Sequence, residues 1–209
     1  GCIIASPTDK DFGEAQLPDS GKYQGQFKNG LFNGKGKIVW RDGSVYEGEF
    51  KNGLFEGKGV FHYKNGELYE GQFKDGLAQG KGEHIYSNGD RYEGDFSDGL
   101  PEGIGTYSGD NGYKYRGEFK HGYFHGKGKS NLANGDHYDG EFFKGYEQGF
   151  GTYYYSNGDH YQGEFRAGVF HGRGKFFTQE TGEVIQGEWR NGQIMQPKDT
   201  PKGSFFQET

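Results

Sequence analysis

A period of 23 residues constrains this chain more than any other feature. Tyr recurs at Tyr23, Tyr46, Tyr69, Tyr92, Tyr115, Tyr138 and Tyr161. With that Tyr as offset 0, Gly falls at offsets 2, 7, 11, 13 and 20, and Phe at offset 4. The second repeat shows the pattern whole, as YEGEFKNGLFEGKGVFHYKNGEL from Tyr46 to Leu68. A repeat this short is one supersecondary unit that buries its apolar side only against its neighbours, so an array follows rather than a globule.

Side chains alternate along an extended strand. Tyr, Gly and Phe at offsets 0, 2 and 4 therefore share one face, and Glu47, Glu49 and Lys51 at offsets 1, 3 and 5 take the other. A second strand starts near offset 11, after a loop around Asn52-Gly53-Leu54-Phe55. Opposed offsets summing to 15 put Tyr against offset 15, Gly against Gly at 2 and 13, and Phe against Gly at 11. The same register sets Glu49 against Lys58, Glu118 against Lys127 and Glu164 against Arg173, opposite charges facing across strands. The opposed glycines leave bare backbone on which a ring can lie, a close approach that a Cβ would block. Between repeats, segments such as Arg41-Asp42-Gly43 and Lys64-Asn65-Gly66 predict three-residue loops with a left-handed Gly. A two-residue turn would flip the aromatic side chains to the other face. The other loop of each hairpin carries an apolar residue at offset 8: Leu31, Leu54, Leu77, Leu100, Tyr123, Tyr146 or Val169. The fold expected is all-β, an elongated, twisted antiparallel sheet of tandem 23-residue hairpins.

Composition agrees. Gly is 42 of 209 residues and hydrophobic residues only 30%, but aromatics reach 18%, far too many for a disordered chain. Rings, not aliphatic side chains, must fill the core. A net charge of −6 disfavours nucleic acid as a partner, since its binders carry a clustered basic face. One cysteine excludes an intrachain disulfide and a thiolate metal site.

The YxGxF segments and the NGxxxGxG that follows each of them resemble the MORN (membrane occupation and recognition nexus) repeat family. The resemblance covers residues 23–192, as seven repeats and a partial eighth, with 1–22 read as an N-terminal linker or lipid-anchor segment and 193–209 as a tail. The seventh repeat carries one extra residue, so its turn glycine is Gly182 at offset 21. The eighth opens with Ile185, keeps Gly187, Trp189 and Gly192 and lacks the Gly-x-Gly half, as a capping repeat would. A regular surface without reactive groups points to a non-catalytic repeat scaffold for protein–protein contact or self-association, with tethering to a membrane through the N-terminus as an option. The resemblance agrees, since it implies a link to membrane-associated or cytoskeletal assemblies. Two alternatives stay open: a module that binds phospholipid headgroups, for which the lysines at offsets 5 and 12 form a local basic row, and the targeting array of an enzyme whose catalytic domain lies in another part of a longer chain.

No catalytic constellation or cofactor motif emerges. Gly-x-Gly recurs without the strand-to-helix context of a phosphate loop. His125 and His171 lie two repeats apart, and His137 and His160 roughly 10 Å apart, too far to share a metal. Two contact surfaces are candidates. The stripe at offsets 15 and 17, containing Trp40, Tyr63, Tyr86, Tyr107, Tyr153 and Tyr155, reads either as core filling or as a partner groove, with Trp40–Tyr63–Tyr86 as the contact row. Phe143 and Phe150, at normally charged positions, join Tyr154 and Phe177 in an outward patch that is either drift within one repeat or a dimer or partner contact.

Gly1-Cys2 followed by Ile3-Ile4-Ala5-Ser6 has three readings: an inert chain start, a lipobox end with Cys2 lipidated on a bacterial cell-envelope protein, or the acylated start of a cytoplasmic membrane-associated one. In the tail, Pro197 and Pro201 end strand pairing, and Phe205-Phe206 could fold back over the last edge.

Overall fold

The computed structural model describes residues 12–197 as seventeen β-strands joined by turns, with no helix among them. Two compact blocks divide the chain. The first holds residues up to 110 together with 119–122, and the second holds 111–118 together with 123 onward. Within each block, strands pair antiparallel with their neighbours in sequence.

The first full repeat shows how one hairpin is made. Strand β1 is Phe12–Gln16, β2 is Lys22–Lys28, β3 is Leu31–Val39 and β4 is Val45–Lys51. Strands β2 and β3 meet at a two-residue turn in which Asn29 (φ 51°) and Gly30 (φ 70°) both take positive φ, the conformation that suits the twist of a tight hairpin. Tyr23 faces Ile38 and Gly25 faces Gly36, as expected, but the register then slips, and Phe27 faces Phe32. The expected match of Phe at offset 4 with Gly at offset 11 therefore does not occur within a hairpin. It occurs between repeats, where Gly34 faces Phe50 and Lys35 faces Glu49. The slip is a bulge at the offset-11 glycine, which holds φ between 57° and 79° in all seven repeats, a region that favours Gly.

The bulge also changes what offset 3 does. Its side chain accepts the offset-12 backbone N–H: Lys35 donates to Gln26 Oε1 at 2.7 Å, Lys58 to Glu49 at 3.2 Å, Lys127 to Glu118 at 2.9 Å and Arg173 to Glu164 at 3.1 Å. The three expected acid–base pairs are thus side-chain-to-backbone bonds. Of their charged heads, Arg173 and Glu164 approach to 3.9 Å.

The loops between repeats follow the expectation. Trp40 N–H donates to Ser44 O at 2.9 Å and Gly43 N–H to Trp40 O at 3.1 Å, which closes Arg41-Asp42-Gly43 with Gly43 at φ 92°. Tyr63/Glu67, Tyr86/Asp90, Leu132/Asp136 and Tyr155/Asp159 repeat the closure. In the seventh repeat Thr178 reaches Glu183 instead, so the extra residue lengthens this loop by one.

The core lies on the aromatic face. Each repeat's Tyr is at most 2% exposed, and its Phe at most 7%. Tyr46 lies flat over Gly48 and Gly59 of its own hairpin, where an added Cβ would come within 2.6 Å of ring or backbone. Its hydroxyl donates to Glu49 O at 2.9 Å, so the buried polar tip is satisfied. Phe55 stacks on the ring at 3.8 Å between centroids, and Phe73 of the next repeat meets it edge-on at 5.2 Å. Desolvation holds these phenols high; those of Tyr23, Tyr69 and Tyr161 are raised to about 12.

Both ends of the array extend past the sequence repeat. Inside the segment read as a linker, β1 pairs with β2 in the repeat register, Gly13 facing Gly25 and Ala15 facing Tyr23. Leu17 and Gly21 close the following turn at 2.8 Å, and Ser20 (φ 68°) stands where the other loops have Gly. At the other end, Gln193–Pro197 pairs with Val184–Arg190 across Asn191-Gly192, so the tail begins as the second strand of the eighth hairpin.

Candidate interaction surfaces

The offset-15 and offset-17 side chains of the first block form a continuous column on the aromatic face. Trp40 stacks on Phe61 (5.3 Å), Phe61 meets Tyr63 (4.3 Å), Tyr63 faces His84 (5.9 Å) and His84 stacks on Tyr86 (4.3 Å). Trp40, Tyr63 and Tyr86 are thus joined through Phe61 and His84 rather than to each other. Tyr63 is 38% exposed and the other two are half-buried, so the column fills core and still presents ring surface beside the loops.

Polar groups at offset 21, two residues before each Tyr, stitch this column from repeat to repeat. Glu67 bonds His84 Nε2 at 3.1 Å. Asp90 accepts from the Tyr107 hydroxyl and, at 2.9 Å, from the Asp110 N–H. These two bonds hold its carboxyl below the usual range. In the second block Asp136 accepts from Tyr153 at 2.8 Å and from the Ser156 N–H at 2.9 Å. Although burial pushes Asp136 up, these bonds hold it down. Burial raises the Tyr153 and Tyr155 phenols further. Tyr107 and Tyr153 are therefore tied to neighbouring loops, a role that the stripe alone does not reveal.

The outward aromatic residues lie on the opposite, polar face. Phe143 is 50% exposed and Phe150 54%. Tyr154 stacks between His137 (4.4 Å) and His160 (5.6 Å), and His160 continues to Phe177 (4.8 Å). This row brings Tyr154 and Phe177 together through His160. Facing strand positions, Tyr154 with His137 and His160 with Phe177, give the signal that a search confined to His–His distances passes over.

The polar face of the first block also carries a groove of about 1160 Å³. Its floor is the bare backbone of Gly36, Gly48, Gly59 and Gly71, and Lys35, Lys58 and Lys81 stand among carboxylates along it. Lys37 pairs with Glu47 at 3.1 Å and Lys81 with Asp95 at 2.7 Å, so two of its four lysines are matched in place. Among the described residues no three His, Cys, Asp or Glu are grouped to hold a metal. Cys2, proposed as a lipidation site, and Phe205-Phe206 lie outside the described residues.

The MORN repeat signature matches residues 23–45, 46–67, 69–91, 92–112, 115–137, 138–160, 161–178 and 186–195. No curated protein matches the chain. Among solved structures, the SAS-4 (dCPAP) TCP domain in complex with a proline-rich motif of Ana2 (dSTIL), from Drosophila melanogaster, is 10% identical with a TM-score of 0.46, covering 90% of this chain and 99% of that one. The TCP10c domain of Drosophila melanogaster Sas-4 gives 10% identity and a TM-score of 0.43, covering 86% of this chain and all of that one. The wild-type TCP10 domain of Danio rerio CPAP gives 13% identity and 0.30, covering 90% of this chain and all of that one. With eight signature matches following one another along eight successive hairpins, the chain belongs to the MORN repeat family.

Proposed function

We propose that the chain is a non-catalytic scaffold that holds polypeptide partners on the surfaces of its hairpins. One observation carries this reading: the second block places half-exposed Phe143 and Phe150, with the Tyr154–His160–Phe177 row, on a face whose other side chains are mainly charged or polar. Phe143, at the tight-turn end of its strand, stands apart from that row at the loop end, so the face offers separate apolar contact points in a polar surround, and protein interfaces are enriched in aromatic residues. The first block's groove, lined by lysines and carboxylates over a bare glycine floor, suits an extended polar segment on the same face.

A photo-reactive phenylalanine analogue in place of Phe150 tests the reading in a cell extract. Polypeptide adducts at this position, reduced when Phe143 is changed to Lys, support it. Adducts to lipid alone favour headgroup binding, and no adducts at all remove the patch as a contact.

A further inference from the structure

Every hairpin has two ends, and within each block the hairpins therefore present two rims of opposite character. At the tight-turn rim of the first block, exposed Lys28, Lys51 and Lys74 face Leu31, Leu54 and Leu77 across the strand pair. These leucines are 41%, 48% and 50% exposed, and Leu100 continues the row at 48%. Lys51 also approaches Glu56 at 3.9 Å, and Asp75 and Asp98 sit in the turns. Paired residues share a face, so these lysines and leucines lie on the polar face.

The loop rim is the complement. On the aromatic face it presents the rings of Trp40, Tyr63 and Tyr86, with Glu67 and Asp90 beside them and Asp42 at a loop apex. Arg41 and Lys64 reduce this charge without reversing it, and Arg91, at the same end, is paired with Glu83 at 2.5 Å and Glu93 at 3.4 Å on the polar face. The second block, taken by itself, repeats the polarity more cleanly: Lys144, Arg166 and Arg190 at its tight turns, Asp136, Asp159 and Glu183 at its loops.

We propose that copies of this chain associate by lapping the tight-turn rim of one copy, polar face inward, over the loop rim of another, aromatic face inward. Lysines then meet carboxylates and leucines meet rings. Both rims are ends of the same hairpins, so both share a spacing of two strands, roughly 10 Å, and one contact in register brings the next into register. The contact joins two different surfaces, so it does not close on itself and growth is open-ended. A lipid surface would satisfy the lysines and leucines but would leave the acidic, ring-bearing rim without a counterpart. A second copy satisfies both. Phe143 stands on this rim in the second block, facing Tyr146, but Phe150 lies in mid-strand facing Glu164, so cross-linking at Phe150 and association through the rims fail separately.

Light scattering on the full chain over a concentration series tests it. Mean mass should rise with concentration and fall back when salt is raised enough to shorten screening from about 10 Å to about 3 Å. One set of changes, Lys28→Glu, Lys51→Glu and Lys74→Glu, reverses the first rim. A second, Asp42→Lys, Asn65→Lys and Asn88→Lys, reverses the other. Each set alone should weaken association at least about tenfold, and an equimolar mixture should recover it, because each then offers the rim the other needs. A wild-type chain that stays monomeric at every concentration overturns the proposal, as does either set assembling as well as wild type. Flotation with phosphatidylserine vesicles in the absence of self-association also overturns it, in favour of lipid. If the lysine changes prevent folding, Leu54→Gln with Leu77→Gln, which leaves all charges in place, gives the same reading.

Discussion

The two faces of the hairpins differ in how strictly they repeat. On the aromatic face, all seven Tyr and all seven Phe are buried, and each Tyr lies over two glycines whose missing side chains define its space. On the polar face, offset 12 is Lys in four repeats but Ile104 and Phe150 in two others, and both of those are 54% exposed. At the Tyr, Phe and opposed Gly positions the first face admits one solution, because ring, bare backbone and hydroxyl acceptor must fit together, while offsets 15 and 17 beside the loops vary. The second faces water, which accepts almost any side chain. Strict repetition marks what the hairpin needs, and departures mark where the chain is free to meet something else.

The comparison breaks most completely at high pH. Burial raises the phenols of Tyr23, Tyr69 and Tyr161 to about 12, against 10 when free. Between these values the unfolded chain loses protons that the folded chain keeps, so stability falls as pH rises. Unfolding followed by circular dichroism and phenolate absorbance should coincide in one transition between pH 10 and about 12; independent, gradual ionisation of these tyrosines would contradict the buried face. Next comes Gly59→Val, whose Cβ would come within 2.5 Å of the Tyr46 hydroxyl and should cost about 3 kcal/mol in denaturant unfolding. The adjacent Val60→Lys, on the polar face, should stay within about 0.5 kcal/mol. Tyr138→Phe removes the 3.0 Å bond to Glu141 O while keeping the ring, and should cost about 1 kcal/mol. Smallest in stability is Phe150→Lys, half-exposed and expected to shift the midpoint by less than about 0.5 kcal/mol. A large loss there would mean that the polar face also holds the fold together.

Much of the aromatic face could be read from spacing alone. Tyr, Gly and Phe at offsets 0, 2 and 4 fix which side chains share a face, and the Gly at offset 20 fixes three-residue loops. The bulge could not be read so simply. Gly34 and its equivalents look like ordinary trough glycines, and only their positive φ separates them from Gly36. A clue lay in Phe32, Phe55, Phe124 and Phe170 at offset 9, rings that must reach the aromatic face beside Tyr. The half-repeat at β1 stayed hidden because Ser20 replaces the turn glycine and no Tyr-Phe pair precedes it. The link of Tyr154 to His160 is legible only from their facing strand positions, because the spacing between histidines carries no trace of the ring that lies between them.

The hydroxyl of the tyrosine that opens each of the seven repeats finds its acceptor three residues away on its own strand, as Tyr92 does at Asp95 O and Tyr161 at Glu164 O. A stretch of 23 residues can therefore be duplicated or lost without stranding any of these fully buried hydroxyls in whatever remains. A gene for such a chain can change its number of hairpins by recombination alone, with no compensating substitution in the core.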